Sequence, residues 1–138
     1  MTGWELFAHD ADVGVRGLGS TREAAFEQGA IALMHAIGAG EGVAAQQLLT
    51  IACEAPDDEV LFVDWLNALI FEMATRSVLF SRFRVGIQDG KLRAKAWGEP
   101  IDPARHEIAV EAKGATFTAL EVAKKADGTW VAQCVVDV

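Results

Sequence analysis

The chain has 138 residues, 51% of them hydrophobic and 23% charged, which suits one domain that buries its own core without disulfides or structural metals. Its net charge of -8 works against binding to nucleic acid, which is itself negative. A group of bases surrounds one predicted hairpin: Arg82, Arg84, Lys91, Arg93 and Lys95. Alternating bases of this kind are typical of a solvated outer sheet face, so direct contact with RNA is not expected.

The first elements along the chain are two short alternating runs, typical of strands, that flank His9, Asp10 and Asp12. A helix signature follows, with Ser20 as the predicted N-cap, Glu23 three residues later and glycines after Ile37. Residues 46–55, QQLLTIACEA, then alternate like a further strand. The first half of the chain therefore combines strands with one amphipathic helix.

A second helix is predicted after three acids, Asp57 to Glu59, which suit the positive end of its dipole. Its apolar residues cover most of its circumference, so it should be largely buried. The remaining strands are predicted in RFRVGIQDGKLRAKAW, a hairpin turning at Asp89-Gly90, and in HEIAVEA, FTALEVAK and TWVAQCVVDV. This order predicts a single domain over residues 1–138, of the α+β class, with an antiparallel or mixed sheet layer packed with two main helices.

The two cysteines, Cys53 and Cys134, lie in apolar alternating runs without CxxC or CxxH spacing. This favours free, buried thiols in a reducing compartment. The sequence shows no secretory leader and no apolar run of membrane-spanning length, and a cytoplasmic location is therefore expected.

Most catalytic motifs are missing from the chain. It has no GxSxG elbow and no phosphate-binding GxxxxGK[ST] loop, and its three histidines are too far apart for the usual zinc spacing. Carboxylates stand out instead. If the strand starting at Asp12 neighbours the strand ending at Asp137, both side chains would meet the terminal carboxylate of Val138, and such a cluster suits a hard divalent cation. The other interpretation is a turn through Asp10 and Asp12 with a solvated tail at Asp137.

Four more residues admit two interpretations each. Asp64 could reach a metal site or lie on the exposed strip of its helix. His9 could orient Asp12 or be a strand residue at a solvent-exposed sheet edge. Lys113 could neutralise the carboxylates or contact a partner's phosphate, or simply point outward from a strand. Glu99 follows a glycine, which suits a supporting or interface position as well as a turn.

Five segments resemble the archease family, in the order of that family and over nearly the whole chain. They are AHDADVGVRGLGSTREAAFEQGAIALM, VDWLNALIF, WGEPIDPARHEI, EAKGATF and CVVDV. Asp10 stands where the family has threonine, and Phe117-Thr118 stands where it has an aromatic hydroxyl and often a histidine. The resemblance implies an accessory protein, not an enzyme, that activates the GTP-dependent RNA ligase of tRNA splicing. The family promotes metal-dependent guanylylation of the ligase histidine and repeated turnover.

The resemblance also implies a divalent hard cation, calcium or else magnesium or manganese, held by Asp12, Asp137 and Val138. Supporting or interface roles are expected for His9, Asp10, Asp64, Glu99, Lys113 and Thr116. The expected partner is the ligase, in a transient complex. Two alternatives stay open: a general chaperone or modulator that binds several partners through an apolar face, and a metal-dependent hydrolase, for which no general base with a pocket signature is visible.

Overall fold

The computed structural model describes all 138 residues and contains two helices and eight strands. The helices are α1 (Arg22–Ala36) and α2 (Asp58–Arg76). The strands are β1 (Gly3–His9), β2 (Asp12–Gly19), β3 (Gln47–Glu54), β4 (Val78–Gln88), β5 (Lys91–Pro100), β6 (Gly114–Ala115), β7 (Glu121–Lys124) and β8 (Trp130–Asp137). The predicted α+β class is confirmed.

The strands form two sheets rather than one layer, and every pairing in both is antiparallel. The first sheet has the order β1-β2-β8-β6, with β7 also pairing with β8, and the second has the order β3-β5-β4. The predicted hairpin between β4 and β5 turns at Asp89 and Gly90, whose φ angles of 54° and 73° are typical of a tight two-residue turn.

The helices start at side-chain caps. Asp57 Oδ1 accepts a hydrogen bond from the Val60 amide at 2.8 Å, at the start of α2 where the acids are predicted. At α1 the predicted cap, Ser20, is wrong by one residue. Thr21 has the extended backbone that an N-cap needs, and its Oγ accepts from the Ala24 amide at 3.0 Å.

Each helix contacts strands of both sheets, which places the core between the two sheets. The helices are joined by the Trp65 indole, which donates to the Phe26 carbonyl at 3.0 Å, and by the Phe26 and Phe62 rings, whose centroids lie 5.1 Å apart in an edge-to-face arrangement. Trp65 and Phe62 are fully buried, as the apolar pattern of α2 predicts, and so is Phe26 of α1. Phe71 of α2, in contrast, is 62% exposed.

The strand predicted in HEIAVEA, residues 106–112, is wrong, and the strand predicted in FTALEVAK shortens to β7. Residues 106–113 run without a partner strand, because β6 and β7 occupy the available side of β8. Ile108 and Val110 nevertheless line an apolar depression beside Ile37 and Leu79. The alternation in this segment therefore reflects one-sided packing and not strand pairing.

No helix of the structure combines the length and the apolarity needed to cross a membrane.

Candidate metal centre

The two carboxylates predicted to meet do lie at one end of the first sheet. β2 pairs with β8 up to Val13 opposite Val136, and Asp12 and Asp137 are the next residues on the two strands. Val13 and Val136 pack toward the core, so the alternation of strands places Asp12 and Asp137 on the outer face, away from the helices. The ladder ends one residue before them, so the two acids are neighbours at the open end of the β2-β8 pair.

The end of the chain is held at this point by hydrogen bonds. The Val138 amide donates to Asp12 Oδ1 at 3.2 Å, and the Lys113 amide donates to the Asp137 carbonyl at 2.8 Å. The Thr116 hydroxyl donates to the Val135 carbonyl at 2.8 Å. Asp12 and Val138 are therefore in direct contact, and Thr116 supports the strand that carries Asp137.

Neither Asp12 nor Asp137 forms an ion pair, although two like charges facing each other across a strand pair destabilise a sheet. The structure contains no group of three or more His, Cys, Asp or Glu side chains placed to hold a metal ion. The candidate donors, as expected from the sequence, are the side chains of Asp12 and Asp137 and the main-chain carboxylate of Val138. Oxygen donors alone suit calcium, magnesium or manganese, whose remaining ligands can be water, so this set fits a hard cation.

The two neighbouring residues of the HDAD segment have different placements. His9 pairs directly with Asp12 in the β1-β2 hairpin, and its Nδ1 is 3.8 Å from Asp10 Oδ2. The Asp10 side chain is 94% exposed, and its φ of 53° is a left-handed conformation that aspartate tolerates in turns. Asp10 is therefore a turn residue that points into solvent, next to the carboxylate pair but outside it.

Strand β6 is held against α2 by Asn67, a residue that the sequence analysis did not single out. Asn67 Oδ1 accepts from the Ala115 amide at 2.8 Å, and its Nδ2 donates to the Ala115 carbonyl at 3.4 Å. Because β6 pairs with the end of β8, Asn67 helps to position Asp137, and the exposed Lys113 immediately precedes this strand. The signal in the sequence that could have identified Asn67 is its polarity within the apolar helix segment VDWLNALIF.

Asp64 is not brought to this site. It lies on α2 near Cys53 of the second sheet, where burial, followed by the negative charge of Asp64, raises the pKa of the Cys53 thiol. Cys134 is fully buried, and this burial raises its pKa to about 12. Both cysteines are free, as predicted.

The sequence profile of the Archease protein family matches residues 4–138. The chain is 37% identical to the protein archease of Pyrococcus furiosus, with all of both chains covered, and 34% identical to that of Methanosarcina barkeri, with 98% of this chain and 95% of that one covered. The chain belongs to the archease family.

Solved structures agree with this assignment to the archease family. Protein 1598 of Methanobacterium thermoautotrophicum superposes with a TM-score of 0.78 over all of both chains, at 33% identity. An archease of Thermotoga maritima, described as a possible chaperone, superposes with a TM-score of 0.62 over 97% of this chain and 96% of that one. At 17% identity the second match shows the fold alone.

Glu99, another predicted site residue of this archease-family chain, lies in the second sheet and not at the carboxylate pair. It is 3% exposed and accepts hydrogen bonds from the Ala44 amide and the Arg105 guanidinium. His106 Nδ1 accepts from the Asp102 amide at 2.8 Å, which leaves its Nε2–H facing Glu99 Oε2 at 3.3 Å. We call Glu99, Arg105 and His106 the clasp, because it joins β5 to the loops before β3 and after β5.

The clasp stabilises the ionised form of Glu99. The hydrogen bond from the Ala44 amide, and then those from Arg105 and His106, lower the pKa of Glu99 below its ordinary value of 4.5, although burial acts in the opposite direction. A carboxyl whose pKa is lower in the folded chain stabilises the fold above its unfolded pKa, and this contribution is lost as the pH falls through the folded pKa.

Glu99→Gln is therefore expected to lower the melting temperature at neutral pH, since the variant loses the charge that three donors surround. The difference from the wild type should begin to shrink as the pH falls below the ordinary pKa of 4.5, and should be lost once the pH passes below the lowered pKa of the folded chain, where the wild-type carboxyl is also neutral. Thermal melts over a pH series measure both effects. Glu107→Gln, which neutralises an exposed acid close by, is the control. A difference that stays constant with pH, or an equal effect of Glu107→Gln, would contradict the role of the charge.

Proposed function

We propose that this protein activates the GTP-dependent RNA ligase of tRNA splicing, by promoting guanylylation of the ligase histidine and repeated turnover. The observation that carries the proposal is that Asp12 and Asp137 lie together at the end of the β2-β8 pair without an ion-pair partner, beside Val138. Membership of the archease family supports it. The protein acts as an accessory factor and not as the enzyme.

The residues at this edge would hold a divalent hard cation: calcium, or else magnesium or manganese. Such an ion, when bound, neutralises negative charge on nucleotide phosphates. Asp12 and Asp137 supply the charge that attracts it, and the hydrogen bonds at Val138 and Lys113 keep the two strand ends together. His9, opposite Asp12, can orient that carboxylate.

The charge of the chain suits a transient complex with such a ligase. A protein that binds RNA presents lysines and arginines to the phosphates, and a chain with a net charge of -8 can approach that face by complementary charge. The complex must dissociate before RNA occupies the same face. Because the complex depends on attraction between opposite charges, its affinity should fall as salt is added.

The test is transfer of a radiolabelled guanylyl group to the ligase with a small amount of this protein present, together with the number of RNA joins per ligase molecule. Wild-type protein should raise both quantities. Asp12→Asn and Asp137→Asn should reduce the stimulation by more than about tenfold, because each removes one charged ligand. Asparagine keeps the oxygen that accepts from Val138, so the local fold is preserved in Asp12→Asn.

Asp10→Asn is the matched control. It removes an equal charge two residues away, from an exposed side chain, and asparagine tolerates the left-handed backbone at this turn. It should stimulate the ligase as the wild type does. If the wild type stimulates neither step, the activator function is wrong. If Asp12→Asn and Asp137→Asn remain as active as Asp10→Asn, the activation does not use the carboxylate pair.

A second candidate function is a general chaperone or modulator that binds several partners. Phe71 and Phe117 favour it, with 62% and 67% of their surfaces exposed. Isolated exposed apolar residues are nonetheless common on soluble proteins. A chaperone would suppress aggregation of unrelated proteins without a divalent ion and would be unaffected by Asp12→Asn.

A further inference from the structure

The five bases around the β4-β5 hairpin lie on one surface, the outer face of the second sheet. They alternate with residues that point into the core, such as Phe83, Val85 and Leu92. The exposed set is Arg82, Arg84, Lys91, Arg93 and Lys95. We call this surface the basic face. It holds five of the 12 lysines and arginines in a chain with 20 acids, so the charge of the molecule is strongly uneven.

None of these five bases forms an ion pair; the bases that do are on other surfaces, at Arg16, Arg22, Arg76, Arg105 and Lys125. Arg84 and Lys95 are directly opposite each other on β4 and β5. Like charges in this position destabilise a sheet. On the other side of β5, Lys95 faces Thr50 and Arg93 faces Ala52, so no acid compensates them.

Protection of sheet edges does not explain this arrangement. Lysines on edge strands prevent sheets from pairing with other chains, but Arg93 and Lys95 lie on β5, the central strand, which has no free edge. Glu54 lies opposite Lys91, and Asp89 is in the turn at the same end of the face. At the free edge of β4, Glu27 accepts a hydrogen bond from the Val85 amide at 2.8 Å and forms no ion pair with the basic side chains of the face. The basic side chains in the middle of the face therefore have no acidic partner, although acids border it.

The middle of the basic face is a shallow open groove of about 540 Å³. Arg84, Arg93 and Lys95 line it, no carboxylate does, and Gly86 leaves its floor without a side chain. At the end of the groove, the Arg82 guanidinium lies over the half-buried Trp97 ring, 4.9 Å from its centroid. The stacking holds a flat cation against the sheet surface.

We propose that the basic face binds single-stranded RNA, with Arg84, Arg93 and Lys95 contacting successive phosphates and the stacked pair of Arg82 and Trp97 contacting a nucleobase. The basic side chains of β5 recur at every second residue, about 6.7 Å apart, which suits a polymer that carries one charge per unit. Sheet faces that combine basic side chains with an aromatic ring are a known means of holding single-stranded nucleic acid. An acidic protein segment would explain the charge but not the stacked pair beside it.

Net charge alone predicts no direct contact with RNA. That expectation treated the bases as solvated residues of an acidic chain, whereas binding depends on the local distribution of charge. The RNA site lies on the second sheet and the carboxylate pair on the first, so the two surfaces can act independently.

The experiment measures fluorescence anisotropy of a short labelled oligouridylate titrated with the full chain alone, at several salt concentrations. The wild type should bind, with affinity that falls as salt rises. Arg84→Gln combined with Lys95→Gln should weaken binding by about tenfold or more at low salt and should reduce the salt slope by about 1.4, since each phosphate contact on a single strand contributes about 0.7. This variant should fold at least as stably as the wild type, because it removes a like-charge pair.

Lys124→Gln combined with Lys125→Gln is the matched control, since it removes two charges from the exposed β7 end. It should change binding only slightly. Failure of the wild type to bind RNA, or equal weakening by both double variants, would overturn the proposal. Displacement of RNA by polyglutamate as effectively as by unlabelled RNA would also overturn it, in favour of an acidic protein partner. No ligase is present, so each outcome is separate from the activator function.

Discussion

Calcium is expected to raise the melting temperature of the wild-type chain, whereas Asp12→Asn should melt at the same temperature with and without the ion. A cation that binds only the folded state stabilises it by mass action, by about 2.7 kcal/mol when its concentration is a hundred times the dissociation constant. The pair of Asp12 and Asp137 provides this folded-state dependence, because only the pairing of β2 with β8 brings the two residues together.

The same variant should have the opposite effect when no divalent ion is present. Asp12→Asn removes the repulsion between facing carboxylates and keeps the oxygen that accepts from the Val138 amide, so it should be at least as stable as the wild type in a chelator. If this edge holds a cation, the order of stability of the wild type and Asp12→Asn should therefore reverse between the two conditions. The wild type should be the more stable protein with calcium and the less stable one without it.

Titration calorimetry with calcium and magnesium measures the binding itself. Heat should appear for the wild type and for Asp10→Asn, and should be absent for Asp12→Asn and Asp137→Asn. A chain extended beyond Val138 should bind more weakly, since the added residues convert that carboxylate into an amide. Equal heats for all variants, or no heat for the wild type, would show that this edge does not hold a cation.

The carboxylate pair could be predicted from the sequence because strand position determines it. Asp12 starts one alternating run and Asp137 ends another, and if those runs are neighbouring antiparallel strands, the two acids must meet. The neighbour relation itself came only from the structure. Resemblance to the archease family identified the acids as a site, whereas the residues alone favoured a turn and a solvated tail.

Asp64 and Glu99 could not be placed in the same way. Asp64 lies on a helix that contacts both sheets, and the sequence does not indicate which sheet a given polar residue approaches. Glu99 looked like a turn or interface position, but its burial depends on Arg105 and His106 folding back from the following loop. In residues 106–112, alternation indicated which side chains pack inward and carried no information about hydrogen-bond partners.

Gly17 is a part of the fold whose importance the sequence did not indicate. Helix α1 crosses β2 so closely that a Cβ on Gly17 would overlap main-chain atoms of Ala25 and Gly29. Main-chain atoms cannot rotate away as a side chain does, so Gly17→Ala must push the helix off the sheet. The free energy of unfolding should fall by about 3 kcal/mol, as measured by urea denaturation.

Gly3→Ala separates this packing effect from the general cost of replacing a glycine in a strand. Gly3 lies in β1, and a Cβ there would have no neighbour within 4 Å. Its unfolding free energy should change by less than about 0.5 kcal/mol. Since β2 also carries Asp12 at its other end, a displaced helix should loosen the pairing of β2 with β8 and weaken calcium binding, although Gly17 is remote from the carboxylates in sequence. Equal stability losses in both variants would show that close approach of α1 to β2 is not what Gly17 provides.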